Sequence, residues 1–213
     1  MKFNEFLKSV AKIKNIPLPA EASQFKMSPP FRDNLEALQK KMIVNAKSAG
    51  VMALFYPDAQ AETKLVLILR KAYKGVHSAQ VGFPGGKEEP TDGSIEHTAI
   101  RETWEEVGVP VTSIEVLRAM TRVYIPPSNF FVYPFLGITR TTPKFIKQDS
   151  EVETVIEVAL KDFINEANVV TKTVSTSYCV DMPVPAFYLN NYVVWGATAM
   201  MLSEIKDMLK QLM

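Results

Sequence analysis

The chain reads as an α/β or α+β sandwich. Apolar runs of strand length recur along it, separated by turn-forming residues. A strongly acidic helix, residues 94–107, lies between two groups of those runs, and amphipathic helices stand at both ends. Together these features predict layers of helix packed on a sheet.

In the first helix, residues 1–14, Phe3, Leu7, Val10 and Ile13 recur at three- and four-residue steps, and Pro17 and Pro19 end it. A second helix is expected over residues 30–46, with Leu35, Leu38 and Met42 on its buried face. Residues 1–46 are therefore read as a helical extension packed on a main domain of residues 47–213. A separate unit of that size would bury too little surface to stand alone. The extension could serve as a dimer surface, making a homodimer, or as a lid. Strands are expected at 50–56, 64–70 and 79–83, the first two joined by the turn-like Pro57-Asp58-Ala59-Gln60-Ala61-Glu62. Ser94 is placed as the N-cap of the acidic helix and Gly108 as its C-terminal residue. Its inward face should carry Ile95, Ala99, Ile100, Thr103 and Val107, with Trp104 at the margin. Further strands follow at 114–124, 130–138, 152–158, 169–174 and 185–189, with a short helix at 161–166. A C-terminal helix starts at Gly196, and its stripe of Ala197, Met201, Ile205, Met208 and Leu212 reads as core packing.

Composition narrows the function classes. With 47% hydrophobic and 22% charged residues the chain is of ordinary globular type. A net charge of +1 gives no general attraction to nucleic acid or acidic membranes. The single cysteine, Cys179, cannot form an internal disulfide and is expected to be a small buried residue in a reducing cytoplasm. His77 and His97 are too few for a zinc site. The uncharged runs fall short of a membrane span, and Lys2, Glu5 and Lys8 argue against a signal peptide.

The chemistry concentrates in residues 83–109. A strand-like run ends at Gly85-Gly86, a polar loop follows, and the helix presents Arg101-Glu102-x-x-Glu105-Glu106-x-Gly108. Glu102, Glu105 and Glu106 stand three and four apart, so they share a helix face, where like charges repel. No Lys or Arg follows four residues on to form ordinary pairs. A divalent cation would offset the repulsion, and hard cations such as Mg²⁺ prefer carboxylate oxygens. The glycines let the backbone approach a ligand closely.

Gly86-x5-Asp92-x8-Arg101-Glu102-x-x-Glu105-Glu106-x-Gly108-Val109 resembles the Nudix box of the Nudix hydrolases. Asp92 stands where the family usually has Glu, with one residue more before the Arg-Glu pair. With Phe83-Pro84-Gly85-Gly86 ahead of it, this spacing resembles the coenzyme A diphosphatase branch. So do His77 to Phe83, Pro134, Glu151-Val152 with Val158-Ala159-Leu160, and Val194-Trp195-Gly196-Ala197-Thr198-Ala199. Where the branch's upstream signature expects Arg-Ser or Arg-Ala, then Arg, then Gly, this chain has Arg70-Lys71, Gly75 and Ala79.

The resemblance implies a mixed, curved sheet between helices and hydrolysis of a diphosphate with Mg²⁺ or Mn²⁺. Glu102, Glu105, Glu106 and the Gly86 carbonyl are the expected metal ligands. Glu105, Arg101 and Glu102 are the expected catalytic residues, Arg101 acting by holding a neighbouring glutamate. Glu105 is the first choice of general base, with Glu151 and Glu153 as alternatives. His77, Gln80, Gly85, Arg70 and Ser128, together with Asn129, are candidates to touch substrate, and Tyr124 and Phe130 to stack on a base. Lys87, Glu88 and Glu89 are expected to be solvated. The implied substrate is coenzyme A or an acyl derivative. A nucleoside triphosphate, dinucleotide or sugar nucleotide is the alternative, and a non-catalytic nucleotide sensor is a different class of reading.

Overall fold

The computed structural model describes residues 1–32, 43–72, 79–176 and 179–212. Most of the helix expected at 30–46 lies outside them, as do His77, Gly75 and the side chain of Cys179. The strands are β1 (Lys47–Pro57), β2 (Thr63–Arg70), β3 (Val81–Gly82), β4 (Gly85–Lys87), β5 (Glu115–Ala119), β6 (Val123–Ile125), β7 (Phe130–Ile138), β8 (Val152–Ala159), β9 (Val169–Thr176), β10 (Cys179–Leu189) and β11 (Tyr192–Trp195). The helices are α1 (Phe3–Val10), α2 (Ala20–Gln24), α3 (Ile95–Val107), α4 (Leu160–Ile164) and α5 (Gly196–Lys210).

The expected mixed sheet between helices is present, and β1 is its centre. It runs parallel to β7, from Lys47 beside Phe130 to Phe55 beside Ile138. Its other edge is shared. The far half pairs antiparallel with β2, Phe55 opposite Leu65, and the near half with β4, Gly50 opposite Gly86. That fork places the glycine loop at the sheet's centre. β3 and β8 extend the sheet beyond β2, while β5 and β6 follow β7. β9, β10 and β11 form a smaller antiparallel sheet.

β1 is buried on both faces, and alternation divides it between two cores. Ala49, Val51, Ala53 and Phe55 join the core that includes Phe3 and Phe6 of α1 and Ile205 and Met208 of α5. Met52, Leu54 and Tyr56 join the core that includes Ala99 and Val107 of α3. The acidic helix therefore lies on one face, and the extension with the C-terminal helix on the other.

Several local expectations need correction. The strand foreseen at 114–124 breaks into β5 and β6. Between them, Thr121 turns its hydroxyl and backbone N–H to Glu204 on α5 and leaves the ladder. On α1 the fully buried residue is Phe6, while Leu7 is only partly covered. The inward face of α3 is Thr98, Ala99, Thr103, Glu106 and Val107, with Ile95 and Ile100 half-buried. Trp104 is 52% exposed. Of the foreseen α5 stripe, Met201, Ile205 and Met208 are buried, while Ala197 and Leu212, the latter beyond the helix end, are half-buried.

Close contact between α3 and β1 depends on Gly50. A Cβ there would lie 2.4 Å from the Ile95 carbonyl oxygen and 2.9 Å from the Ala99 nitrogen. Both are backbone atoms that cannot swing aside. Gly50→Ala is expected to push α3 off the sheet and cost about 1–3 kcal/mol, as overpacking does. Urea denaturation of the two proteins checks this as a lowered midpoint with little change in slope.

Candidate active site

The acidic helix is bounded as its sequence suggests. The Ser94 hydroxyl accepts the His97 N–H at 3.2 Å. Gly108 closes the other end in the left-handed conformation, its N–H donating to the Trp104 carbonyl at 2.8 Å.

The three glutamates meet three environments. Glu106 is 1% exposed. Its Oε2 accepts the Gly85 N–H at 2.8 Å, and its Oε1 lies 3.1 Å from Arg70 Nη1. That second contact is an ion pair by distance only; Oε1 is buried without an aligned hydrogen bond. Burial pushes the carboxyl up to about 7, against the opposing pull of Arg70 and the Gly85 N–H, and the charges of Glu102 and Glu151 add to the rise. Glu102 is half-buried against Gly86, where a Cβ would fall 2.4 Å from Oε1 and 2.6 Å from Oε2. Its carboxyl is also raised, chiefly by burial, with Arg101 opposing. Glu105 is the most exposed, and Arg101 donates to it at 2.8 Å.

No Lys or Arg follows these glutamates by four residues, yet two arginines reach them from other positions. Arg101, four residues before Glu105, bonds Glu102 at 3.0 Å as well as Glu105. Arg70 reaches Glu106 across the sheet, from β2. Asp92 fixes Arg101 in a two-pronged pair, at 2.6 Å from Nε and 3.0 Å from Nη2. Asp92 also accepts from the Thr98 hydroxyl and the Glu89 N–H, each at 2.8 Å. The Arg101 guanidinium first, then these donors, hold the Asp92 carboxyl well below the usual carboxylate range despite burial.

Among the described residues no three His, Cys, Asp or Glu side chains stand close enough together to hold a metal ion in this conformation. The donors nonetheless suit a hard divalent cation. All are carboxylate or backbone oxygens, and the buried Glu106 Oε1 is an oxygen that a cation would satisfy.

Beside the glycine loop opens a cavity of about 370 Å³. Arg70, Gln80, Gly85, Gly86, Lys87 and Ser128 line it, which brings together most of the substrate-facing candidates. Arg70 also donates to the Gly85 carbonyl at 2.5 Å. The apolar wall includes Ile125, Phe130, Val132, Trp195, Met200 and Met201. Tyr124 is not in it; this buried ring donates its hydroxyl to Asn129 at 2.9 Å and packs on Phe131. Glu151 lies near enough for its charge to raise both Glu102 and Glu106, while Glu153 is exposed on β8. Lys87, Glu88 and Glu89 are exposed, as foreseen. Sequence reasoning missed the Asp92–Arg101 and Arg70–Glu106 pairs, which join residues from different elements. It also missed Pro29, Phe31 and Arg32, which enter the cavity wall from the N-terminal segment.

Residues 46–175 match the NUDIX domain profile, more than half of the chain. The chain belongs to the Nudix hydrolase family. It is 28% identical over 157 residues to a peroxisomal coenzyme A diphosphatase of Caenorhabditis elegans, covering 73% of this chain and 65% of that protein. An uncharacterized Nudix hydrolase, NudL, of Yersinia pestis is 26% identical over 183 residues, covering 86% of this chain and 90% of its own. Among solved structures, the Nudix hydrolase RenU of M. smegmatis superposes with a TM-score of 0.53 at 13% identity, over 78% of this chain and 87% of that one. A MutT/nudix family protein from Enterococcus faecalis gives 0.50 at 16% identity, over 84% and 72%. Both share the Nudix fold seen here. Among the described residues no helix is long and apolar enough to cross a membrane.

The Asp92–Arg101 pair carries a stability prediction with a definite sign. The folded carboxyl titrates below its unfolded value of 3.8. Its contribution is therefore complete above that pH and is lost as pH falls through the lower folded value. Asp92→Asn is expected to cost about 3 kcal/mol at pH 7, the low end for breaking a buried pair, because Arg101 keeps some contact with water. Urea denaturation across pH should show a constant gap between variant and parent from pH 5 to 8, narrowing at pH values below about 3.8.

Proposed function

We propose that the chain is a divalent-cation-dependent diphosphatase whose substrate is coenzyme A or an acyl derivative of it. The products would be adenosine 3′,5′-bisphosphate and a 4′-phosphopantetheine fragment. The observation that carries the reading is the glycine loop, which is shared between two environments. Gly85 and Gly86 line the cavity on one side, while Gly85 bonds Glu106 and Gly86 lies bare against Glu102 on the other. A diphosphate in the cavity would lie against backbone beside a bank of carboxylates. The coenzyme A diphosphatase relative supports the choice of substrate. A cytosolic setting, which the single cysteine favours, is part of the same reading.

Glu102, Glu105, Glu106 and the Gly86 carbonyl would hold Mg²⁺ or Mn²⁺. When bound, the cation neutralises diphosphate charge and makes a water acidic enough to attack at neutral pH. This chain's residues do the rest. Glu106 is steadied by Gly85 and Arg70, so its oxygens are held at fixed positions. Arg101, braced by Asp92, orients Glu102 and Glu105 as an outer partner does for a ligand. Glu105, the most solvent-open of the three, is best placed to take a proton from water. Glu151 is the alternative base, favoured by its electrostatic reach to the same site.

A second substrate class has its own support. Arg70 matches the branch's substrate signature, yet its guanidinium is committed to Gly85 and Glu106. Lys71, Gly75 and Ala79 depart from that signature. A nucleoside triphosphate, dinucleotide or sugar nucleotide is the competing substrate.

Incubation with Mg²⁺ and a panel of these compounds, with products identified by mass, separates the two. The expected result is release of adenosine 3′,5′-bisphosphate from coenzyme A; intact coenzyme A beside another cleaved diphosphate overturns the choice. Glu105→Gln should lower kcat by about 10²- to 10⁴-fold, the usual contribution of a general base. An unchanged kcat at saturating Mg²⁺ would remove Glu105 from that role. Arg101→Ala should lower activity by about 10- to 100-fold, the range for outer partners of metal ligands, with part of the loss recovered at high Mg²⁺.

A further inference from the structure

The cavity is charged in one sense. Among its described lining residues are Arg32, Arg70 and Lys87, and no Asp or Glu. Arg70 is bound to Glu106 and Gly85, and Lys87 is exposed on the glycine loop itself. Arg32 is different, because it arrives from a separate part of the chain.

Its placement is built. The Arg32 N–H closes a turn on the Pro29 carbonyl at 3.0 Å. Just upstream, Met27 is in the core and the segment is pinned to α5. Gln24 donates to Glu204 at 3.0 Å and to the Thr121 carbonyl at 2.9 Å. The Ser203 hydroxyl donates to the Ser23 carbonyl at 2.8 Å, and Lys26 pairs with Asp207 at 2.6 Å. Helix α5, to which Gln24, Ser23 and Lys26 are tied, also contributes Met200 and Met201 to the cavity wall.

We propose that Arg32 is a specificity residue. It binds a second anionic group of the substrate, a phosphate monoester carried apart from the scissile diphosphate. The proposal rests on the diphosphatase reading above. A guanidinium forks onto phosphate oxygens through two hydrogen bonds, and the surrounding apolar walls weaken solvent screening of that contact. The scissile diphosphate has the glycine loop and the carboxylate bank as its neighbours, so a distant phosphate needs a cation of its own.

The test uses the full chain with Mg²⁺ and two pairs of diphosphates that differ by one phosphate monoester: coenzyme A against its 3′-dephospho form, and NADP⁺ against NAD⁺. The parent should prefer the phosphorylated member of at least one pair by about tenfold or more in kcat/KM, the scale of one charge-assisted contact. Arg32→Gln should bring that ratio towards one through KM, and Arg32→Lys should restore part of it. No preference in the parent, or a preference that survives Arg32→Gln, overturns the proposal while leaving the hydrolase reading intact. If the parent cleaves none of the four compounds, coenzyme A and dinucleotides fail as substrates. Calorimetric binding of adenosine 3′,5′-bisphosphate against AMP then decides Arg32 by itself. Selectivity lost in Arg32→Gln and partly regained in Arg32→Lys sustains the assignment; selectivity unaltered by Arg32→Gln, or absent from the parent, removes it.

Discussion

Much of this molecule hangs on the burial of Glu106. A carboxylate taken out of water is costly unless hydrogen bonds and an opposite charge compensate. Here the Gly85 N–H and Arg70 compensate in part, and the carboxyl still rises to about 7. Burial outweighs the ion pair. In return, one side chain joins α3, the glycine loop and β2. The contact is possible because the backbone is bare where helix and sheet meet, at Gly50 beneath Ile95 and at Gly86 beneath Glu102. A helix standing a methyl group further off would lose the Glu106 bond and, with it, the registration of the loop that lines the cavity.

Two arginines divide the remaining charge. Arg70 lies under the helix and is spent on Glu106 and Gly85. Arg101 runs along its outer side, anchored at Asp92 and spread over Glu102 and Glu105. The outer arrangement relieves like-charge repulsion that would otherwise weaken α3. It also means that Glu102 and Glu105 are held by a partner that stays in place through Asp92 even if either glutamate turns towards another ligand. Glu106 has no such freedom. The helix therefore carries one fixed carboxylate and two adjustable ones, a division invisible to residue spacing alone.

What was legible in the sequence follows from the range of each interaction. Helix α3 was bounded correctly because Ser94 and Gly108 act on their own neighbours. β7 was placed residue for residue because its apolar run stops at the turn-forming Pro126-Pro127-Ser128-Asn129. Gly85, Gly86, Gln80 and Ser128, candidates that the sequence offers, line one cavity. The failures are all non-local. Helical spacing put the three glutamates on one face, but it cannot say that the sheet covers Glu106 and leaves Glu105 in water. It cannot pair Asp92 with Arg101 across a loop, nor Arg70 with Glu106 across the sheet fork. The break between β5 and β6 is set by Glu204, far along the chain. Phe6 displaced Leu7 from the core because the packing partner of α1, Phe55, decides which side turns inward.

The division of labour along the chain has a further consequence. Asp92, Arg101 and the three glutamates, together with Arg70, Gln80 and Ser128, fall within residues 46–175, the part that matches the family. Trp195, Met200 and Met201, and the turn from Pro29 to Arg32, fall outside it, yet they close the same cavity. These outer parts are locked to each other by Glu204. Its buried carboxylate accepts from Ala20, Gln24 and both the hydroxyl and N–H of Thr121. A fully satisfied buried carboxylate of this kind resists sliding, because any shift would leave several polar groups unpaired at once. On the proposed reading, the walls beside the organic part of a substrate are thus held through Glu204, apart from the acidic helix. They are nevertheless built from segments that the chemistry does not constrain. On the proposed reading, a change in the extension or in α5 would alter which diphosphate fits without touching the carboxylate bank, and that separation is why the acidic helix alone does not name the substrate.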